Sequence, residues 1–218
     1  IIKQLDEGGD FEAIAKEKLA IAGPGSILVT GPVTESVLEL ANERARELGI
    51  QHRSYGKDFS AEATPAVGGW QVDVHGAEED YPELLLPVHG RHQVTNAATA
   101  VASVEALLGR RLSIDAVREA FAAFTAPGRM EVVASEPLLM LDGAHNPAGF
   151  KALAESMAAE FPTTKWVLVL GAMGDKDLEK MVGPLADRVE SVVTTAVPHP
   201  RAIPATELAD RVIPLLSA

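Results

Sequence analysis

From residue 130 onward, short apolar runs alternate with helical stretches, and that alternation restricts the fold more than any other feature. Residues 130–135 and 138–142 read as strands around a Ser135-Glu136-Pro137 turn. Asn146-Pro147 opens a helix to about Phe161, with asparagine at the cap and proline at the first helical position. Trp166–Leu170 reads as a buried strand, and Asp175 or Asp177 opens a helix to about Val189. Residues 191–197 form the next strand, and Thr206 starts another helix. Strands and helices in strict succession predict a doubly wound parallel sheet, so the fold class is α/β.

The first half has a different texture. Asp10 is placed to cap a helix over residues 11–21, with Phe11, Ile14, Lys18 and Ile21 on one face, which puts Lys18 on the apolar stripe. Gly23-Pro24-Gly25 stops it, residues 26–30 read as a buried strand, and Gly31-Pro32 turns the chain. Thr34 then caps a helix through Leu48 that turns Val37, Leu38, Ala41, Ala45 and Leu48 inward. In residues 51–90, Trp70, Val72 and Val74 alternate with Gln71, Asp73 and His75, and residues 84–88 are apolar, as in a small antiparallel region. An alanine-rich helix with few charges over residues 92–108 is predicted to be buried on most sides and to stop at Gly109. Ser113 caps a shorter helix with Ile114, Val117, Phe121 and Phe124 inward. Thr125-Ala126-Pro127-Gly128 is the linker, dividing residues 1–126 from residues 127–218. Ile1-Ile2 reads like the tail of a strand with no initiating methionine, so the expectation is a piece of a longer protein.

Composition removes several classes. The 218 residues carry 19 Lys+Arg against 31 Asp+Glu, a net charge of −12, which argues against nucleic acid as the main partner. There is no cysteine, so neither a disulfide framework nor a thiolate metal site exists, in keeping with a cytoplasmic location. The longest apolar runs fall far short of the roughly 20 residues of a membrane span.

Ligands of open parallel sheets bind beyond the carboxyl ends of the strands. Three segments fall there: residues 142–147 (DGAHNP), 171–177 (GAMGDKD) and 198–201 (PHPR). Asp142 reads either as an acid that caps a turn or as a ligand. His145 is a solvated turn residue or a group beside the anion-favouring start of a helix. Arg129 is an ordinary linker arginine or an anion contact. Lys18 is a snorkelling lysine or something more specific. Asn96, inside the alanine-rich helix, either bonds nearby backbone or offers its carboxamide to an adenine edge. The only Gly-Lys pair, Gly56-Lys57, lacks the spacing of a phosphate-cradling loop, and no G-x-G-x-x-G, H-E-x-x-H or G-x-S-x-G occurs.

Together these segments resemble the folylpolyglutamate synthase/dihydrofolate synthase family of the Mur ligase superfamily. Leu141-Asp142-Gly143-Ala144-His145-Asn146-Pro147 is similar to its hallmark, and Arg129 of Pro127-Gly128-Arg129 stands thirteen residues before Asp142, as in the family. His92-Gln93 with Asn96-Ala97-Ala98-Thr99-Ala100 resembles its adenine-side helix. Ile14-Ala15-Lys16-Glu17-Lys18 resembles its Glu-Lys segment, with Leu19-Ala20 replacing the usual Ala-Gly. Gly174-Asp175-Lys176-Asp177 and His199-Pro200-Arg201-Ala202 also match.

The resemblance implies that residues 1–126 are the later part of a central domain and residues 127–218 a Rossmann-like ligase domain with a mostly parallel sheet, short of a last strand and helix. It implies an ATP-dependent amide ligase that adds L-glutamate to folate or dihydropteroate through an acyl phosphate, with Mg²⁺ as second cofactor. The family's P-loop and magnesium-binding Glu and His would lie upstream of Ile1, so this chain alone is expected to be inactive. Asn96, Arg129 and Asp142 would bind ATP, and His145 would sit by the transfer centre. Lys18, as a carbamate, would serve the magnesium site indirectly. The implied partners are small molecules, with neither nucleic acid nor membrane, and the family is usually monomeric, so a monomer is expected. A muropeptide or cyanophycin-type ligase is the enzyme alternative; a non-catalytic nucleotide-binding or scaffold module is the other.

Overall fold

The computed structural model describes residues 11–216, and the cap expected at Asp10 lies outside them. The chain forms two compact units, Ile1–Pro127 and Gly128–Ala218.

In the first unit, α1 (Phe11–Leu19) packs on α2 (Glu35–Leu48), and β1 (Ile27–Thr30) pairs in parallel with β2 (Gln51–Ser54). Then β3 (Ser60–Ala66), β4 (Gly69–His75) and β5 (Asp80–Leu86) form an antiparallel sheet, followed by α3 (His92–Leu108) and α4 (Ile114–Ala122). The period-2 pattern of β4 does what alternation dictates: Trp70, Val72 and Val74 are buried, and Val94, Ala98, Val101 and Ala102 of α3 pack in the same core with Val117 and Phe121 of α4. Gly49 and Gly109 end α2 and α3 in the left-handed conformation that lacks a penalty only for glycine.

Several expectations are corrected here. Helix α1 stops at Leu19, so its inward pair is Ala15 and Leu19, while Ile21 is 90% exposed and Lys18 lies on the outer side. The packed stripe is the i, i+4 pair Ala15 and Leu19, one position on from Ile14 and Lys18, and a residue as small as Ala15 gives that stripe little apolar signal. Strand β1 is half-buried rather than buried, and β2, expected among antiparallel strands, is parallel to it. Helix α3 buries one face only: Leu107 is 82% exposed and Asn96 is exposed, so no desolvation penalty bears on its amide. Phe124 lies beyond the end of α4 and is exposed.

The inner face of α3 carries a charge that its alanine-rich sequence conceals. Glu105 is fully buried. Its carboxylate accepts from the Tyr81 hydroxyl at 2.7 Å and from the amides of Ala77 at 2.8 Å and Glu78 at 3.3 Å. The Tyr81 oxygen in turn accepts from the Leu112 amide at 2.9 Å. A Cβ on Gly76 would stand 2.8 Å from the Glu105 carboxylate and 2.5 Å from the Glu79 carbonyl, so the turn closes on Glu105 only with glycine there. Burial pushes the Tyr81 hydroxyl up to about 12.

A second polar tie joins β1, β2 and α2. His52 Nδ1 donates to Asn42 Oδ1 at 2.8 Å, and Nε2 then accepts the Thr30 hydroxyl at 2.9 Å. Burial lowers the His52 pKa, against an opposing pull from Asp58. The folded state therefore resists the proton that the unfolded chain takes up near pH 6.5. Stability from this group is complete above that pH and falls as pH drops through it. Thermal melts from pH 7.5 to 5.5 should show a steeper loss for the natural chain than for His52→Gln, and equal slopes would remove His52 as the cause.

The second unit runs β6 (Glu131–Ser135), β7 (Leu138–Leu141), α5 (Pro147–Glu160), β8 (Trp166–Leu170), α6 (Leu178–Val182), a 3₁₀ helix over Gly183–Arg188, β9 (Val189–Thr194) and α7 (Ala205–Leu216). The α/β succession is present. Its ladders fall into an antiparallel β6–β7 hairpin and a parallel β8–β9 pair. Between β7 and β8 runs an apolar cleft of about 400 Å³ that reaches Asp142, Ala144 and Gly171 at the strand ends. The single helix expected from Asp175 or Asp177 to about Val189 starts after Asp177 and breaks at Gly183-Pro184, where proline withholds an amide and the helix tightens. Met130, Phe150, Met157, Met181, Leu185, Leu208 and Val212 share the core of this unit.

Candidate functional site

The hairpin register sets the site. Glu131 pairs with Leu141, so residues 128–130, just before β6, lie beside residues 142–144, just after β7. Two backbone-level bonds stitch these loops together: the Gly143 amide donates to the Gly128 carbonyl at 2.7 Å, and the Met130 amide donates to Asp142 Oδ2 at 2.9 Å. Asp142 Oδ1 accepts from the Ala144 amide at 2.7 Å. Both carboxylate oxygens thus hold the loops, which bears out the turn-capping reading of Asp142 as a local fact. Each oxygen keeps a second lone pair for a ligand hydroxyl.

Asn146 caps α5 by accepting the Gly149 amide at 2.8 Å, and Pro147 takes the first turn. His145 stands immediately before that cap, and its Nδ1 donates to the Gly143 carbonyl at 2.9 Å. In the neutral ring this bond leaves the lone pair on Nε2. Arg129 is exposed and has no hydrogen-bond or ion-pair partner among the described residues. Arg129, Asp142 and His145 are therefore assembled by one hydrogen-bonded loop pair at the start of a 14-residue helix, whose free amides favour an anion.

Beyond β8 and β9 the two other strand-end segments are also laced. The Gly174 amide donates to the Arg201 carbonyl at 2.8 Å, the Ile203 amide to the Ala172 carbonyl at 2.9 Å, and the Arg201 guanidinium stands 4.0 Å from the Asp175 carboxylate. Asp177 caps α6, and the Lys180 amide and ammonium hold its carboxyl below the usual range.

The remaining expected residues belong to the first unit. Asn96 lies one turn into α3, where its Nδ2 donates to Gln93 Oε1 at 3.0 Å, leaving the carbonyl oxygen and the second N–H available. Lys18 is exposed on α1. Among the described residues no group of three or more His, Asp or Glu is placed to hold a metal ion. No described helix is long and apolar enough to cross a membrane. Sequence reasoning missed Glu131, whose Oε2 accepts the Gly128 amide at 2.8 Å, because a lone glutamate at a strand start carries no signal until the hairpin register is known.

Comparison with known proteins finds relatives over nearly the whole chain. Residues 128–216 match the family described as Mur ligase, glutamate ligase domain. The chain is 39% identical over 213 residues to a dihydrofolate synthase/folylpolyglutamate synthase of Mycobacterium tuberculosis, covering 93% of this chain and 44% of the relative. The Bacillus subtilis counterpart is 30% identical, covering 93% of this chain and 48% of the relative. Among solved structures, the Mycobacterium tuberculosis folylpolyglutamate synthase complexed with ADP superposes with a TM-score of 0.90 at 36% identity, covering 95% of this chain and 48% of that one. The chain thus spans about half the length of the curated relatives it matches.

Proposed function

We propose, starting from a chain whose residues 128–216 belong to the glutamate ligase domain family of the Mur ligases, that these 218 residues serve an ATP-dependent ligase joining L-glutamate to a folate or to dihydropteroate. In that reaction a substrate carboxylate attacks the γ-phosphorus of ATP and ADP leaves. The glutamate amine then attacks the acyl carbon, phosphate leaves, and the nitrogen loses a proton as the amide forms. What supports the reading is the stitched loop pair carrying Arg129, Asp142 and His145, together with relatives that bear the synthase names and a neighbour holding ADP.

The roles follow from the chemistry of each group. Charge builds on the γ-phosphoryl oxygens and on the β-phosphoryl of the leaving ADP during transfer, and the Arg129 guanidinium, free of protein partners among the described residues, supplies planar donors at the β-phosphoryl. Asp142 spends one lone pair of each oxygen on the backbone and offers the others to a ribose hydroxyl. Asn96, with one N–H and its oxygen uncommitted, suits an adenine edge. His145 Nε2 is the group that takes the amine proton. We assign residues 1–126 to part of a central domain and residues 127–218 to the ligase domain. ATP is bound with magnesium in such chemistry, and because the described residues form no metal cluster, no step is assigned to that ion here. Lys18 remains a candidate for carbamylation, in which the neutral amine attacks carbon dioxide and sheds a proton to leave an anionic carbamate, and its exposure on α1 gives carbon dioxide access.

Calorimetry with ATP tests the nucleotide part: Arg129→Ala should weaken binding about tenfold or more, the range of a lost charge-assisted hydrogen bond. Unchanged affinity would reduce Arg129 to a linker residue. A substrate panel of dihydropteroate, tetrahydrofolate and a UDP-muramoyl peptide, given to a ligase-active protein that carries these residues, tests the rest. Turnover of the muramoyl peptide alone would sink the folate assignment. The absence of a phosphate-cradling motif and of a metal cluster among the described residues favours a second reading for the isolated chain, a nucleotide-binding module without turnover.

A further inference from the structure

We propose that Glu131 is a positioning residue for Arg129, acting through the backbone of Gly128; the inference rests on the reading of Arg129 as a nucleotide contact. The turn that presents Arg129 is unusual on both sides. Gly128 has φ +65° and Met130 has φ +47°, a left-handed conformation that a residue with a side chain adopts only when its surroundings impose it. At Met130 the surroundings are evident: the side chain is 1% exposed in the core and the amide is held by Asp142. Gly128 has no side chain to anchor it, so only bonds to its backbone can hold it. Its amide is held by Glu131 Oε2 at 2.8 Å and its carbonyl by the Gly143 amide at 2.7 Å.

Arg129 therefore sits between two pinned residues with its own side chain unbonded. The pin on the Met130 side comes from the core and Asp142, and the amide pin on the Gly128 side comes from Glu131 alone. A guanidinium must meet phosphate oxygens within a few tenths of an ångström, and its four-bond arm magnifies any rotation of the backbone beneath it. Glu131 needs only an acceptor oxygen for this task, so glutamine retains the function and alanine loses it.

The test uses the 218-residue chain with ADP as the probe. Glu131→Ala should weaken ADP binding about tenfold, Glu131→Gln should stay within about twofold, and Glu131→Ala added to Arg129→Ala should cost nothing further, as expected for residues acting through one contact. A second readout needs no nucleotide. In Glu131→Ala the Arg129 amide order parameter should fall from about 0.85 to below about 0.6, and exchange at the Gly128 amide should rise at least tenfold, with Glu131→Gln unchanged. If Arg129→Ala weakens ADP binding while Glu131→Ala does not, the inference fails and the nucleotide reading stands. If Arg129→Ala has no effect on ADP, the nucleotide reading fails, and with it the role given to Glu131. Unaltered order and exchange in Glu131→Ala overturn the positioning role whatever ADP does.

Discussion

Glu105→Ala is expected to destabilise the first unit by about 3 kcal/mol, because it takes the acceptor from one buried hydroxyl and two part-buried amides, and a donor left unpaired in the interior costs about 1–3 kcal/mol. The donors are the amides of Ala77 and Glu78 and the Tyr81 hydroxyl, all now directed at the Glu105 carboxylate. Glu105→Gln keeps one acceptor oxygen and replaces the other with a donor, so it should fall between the natural chain and alanine. The two tryptophans separate the units: Trp70 lies in the first core and Trp166 packs against the second. Urea melts followed by the fluorescence of single-tryptophan variants should show the loss at Trp70 and leave Trp166 unmoved. The Tyr81 titration, pushed up to about 12 by burial and the neighbouring carboxylate, should move towards the free value of about 10 as the site loosens. A loss under about 1 kcal/mol would mean that water replaces the carboxylate at little cost.

What the sequence makes legible is local. Alternation in Trp70, Val72 and Val74 marks a strand because period 2 has no other cause over that length. Helix α3 is readable to both ends, since Gly109 supplies the left-handed stop. Asn146-Pro147 likewise declares the start of α5. What stays hidden depends on partners far along the chain. Glu105 looks like one polar residue in a run of alanines, and only the turn at Gly76, nearly thirty positions earlier, explains its burial. Lys18 reads as inward from spacing alone, yet the stripe that packs is Ala15 and Leu19, one position further on. Arg129 and Asp142 are visible as residues, but the bonds that join their loops need the β6–β7 register, which no single residue encodes. Glu131 is the sharpest case, because its importance lies wholly in which amide it meets.

The largest catalytic effect is expected at His145. The Gly143 carbonyl fixes its Nδ1 as the donor, so the neutral ring presents a lone pair at Nε2. Amide formation from an acyl phosphate and an amine releases a proton from nitrogen, and a positioned base at that atom is worth about 10²–10⁴ in rate. His145→Ala in a ligase-active protein carrying these residues should lower kcat within that range while leaving nucleotide affinity nearly unchanged, since the two bonds that stitch the loops, from the Met130 amide to Asp142 and from the Gly143 amide to the Gly128 carbonyl, do not use the imidazole. Added imidazole should restore part of the rate to the variant. His145→Gln separates proton transfer from simple contact, because an amide fills much of the space but cannot accept a proton near neutral pH. A glutamine variant as fast as the natural protein would reduce His145 to a contact residue, and a drop confined to KM for glutamate would make it a binding group rather than the base.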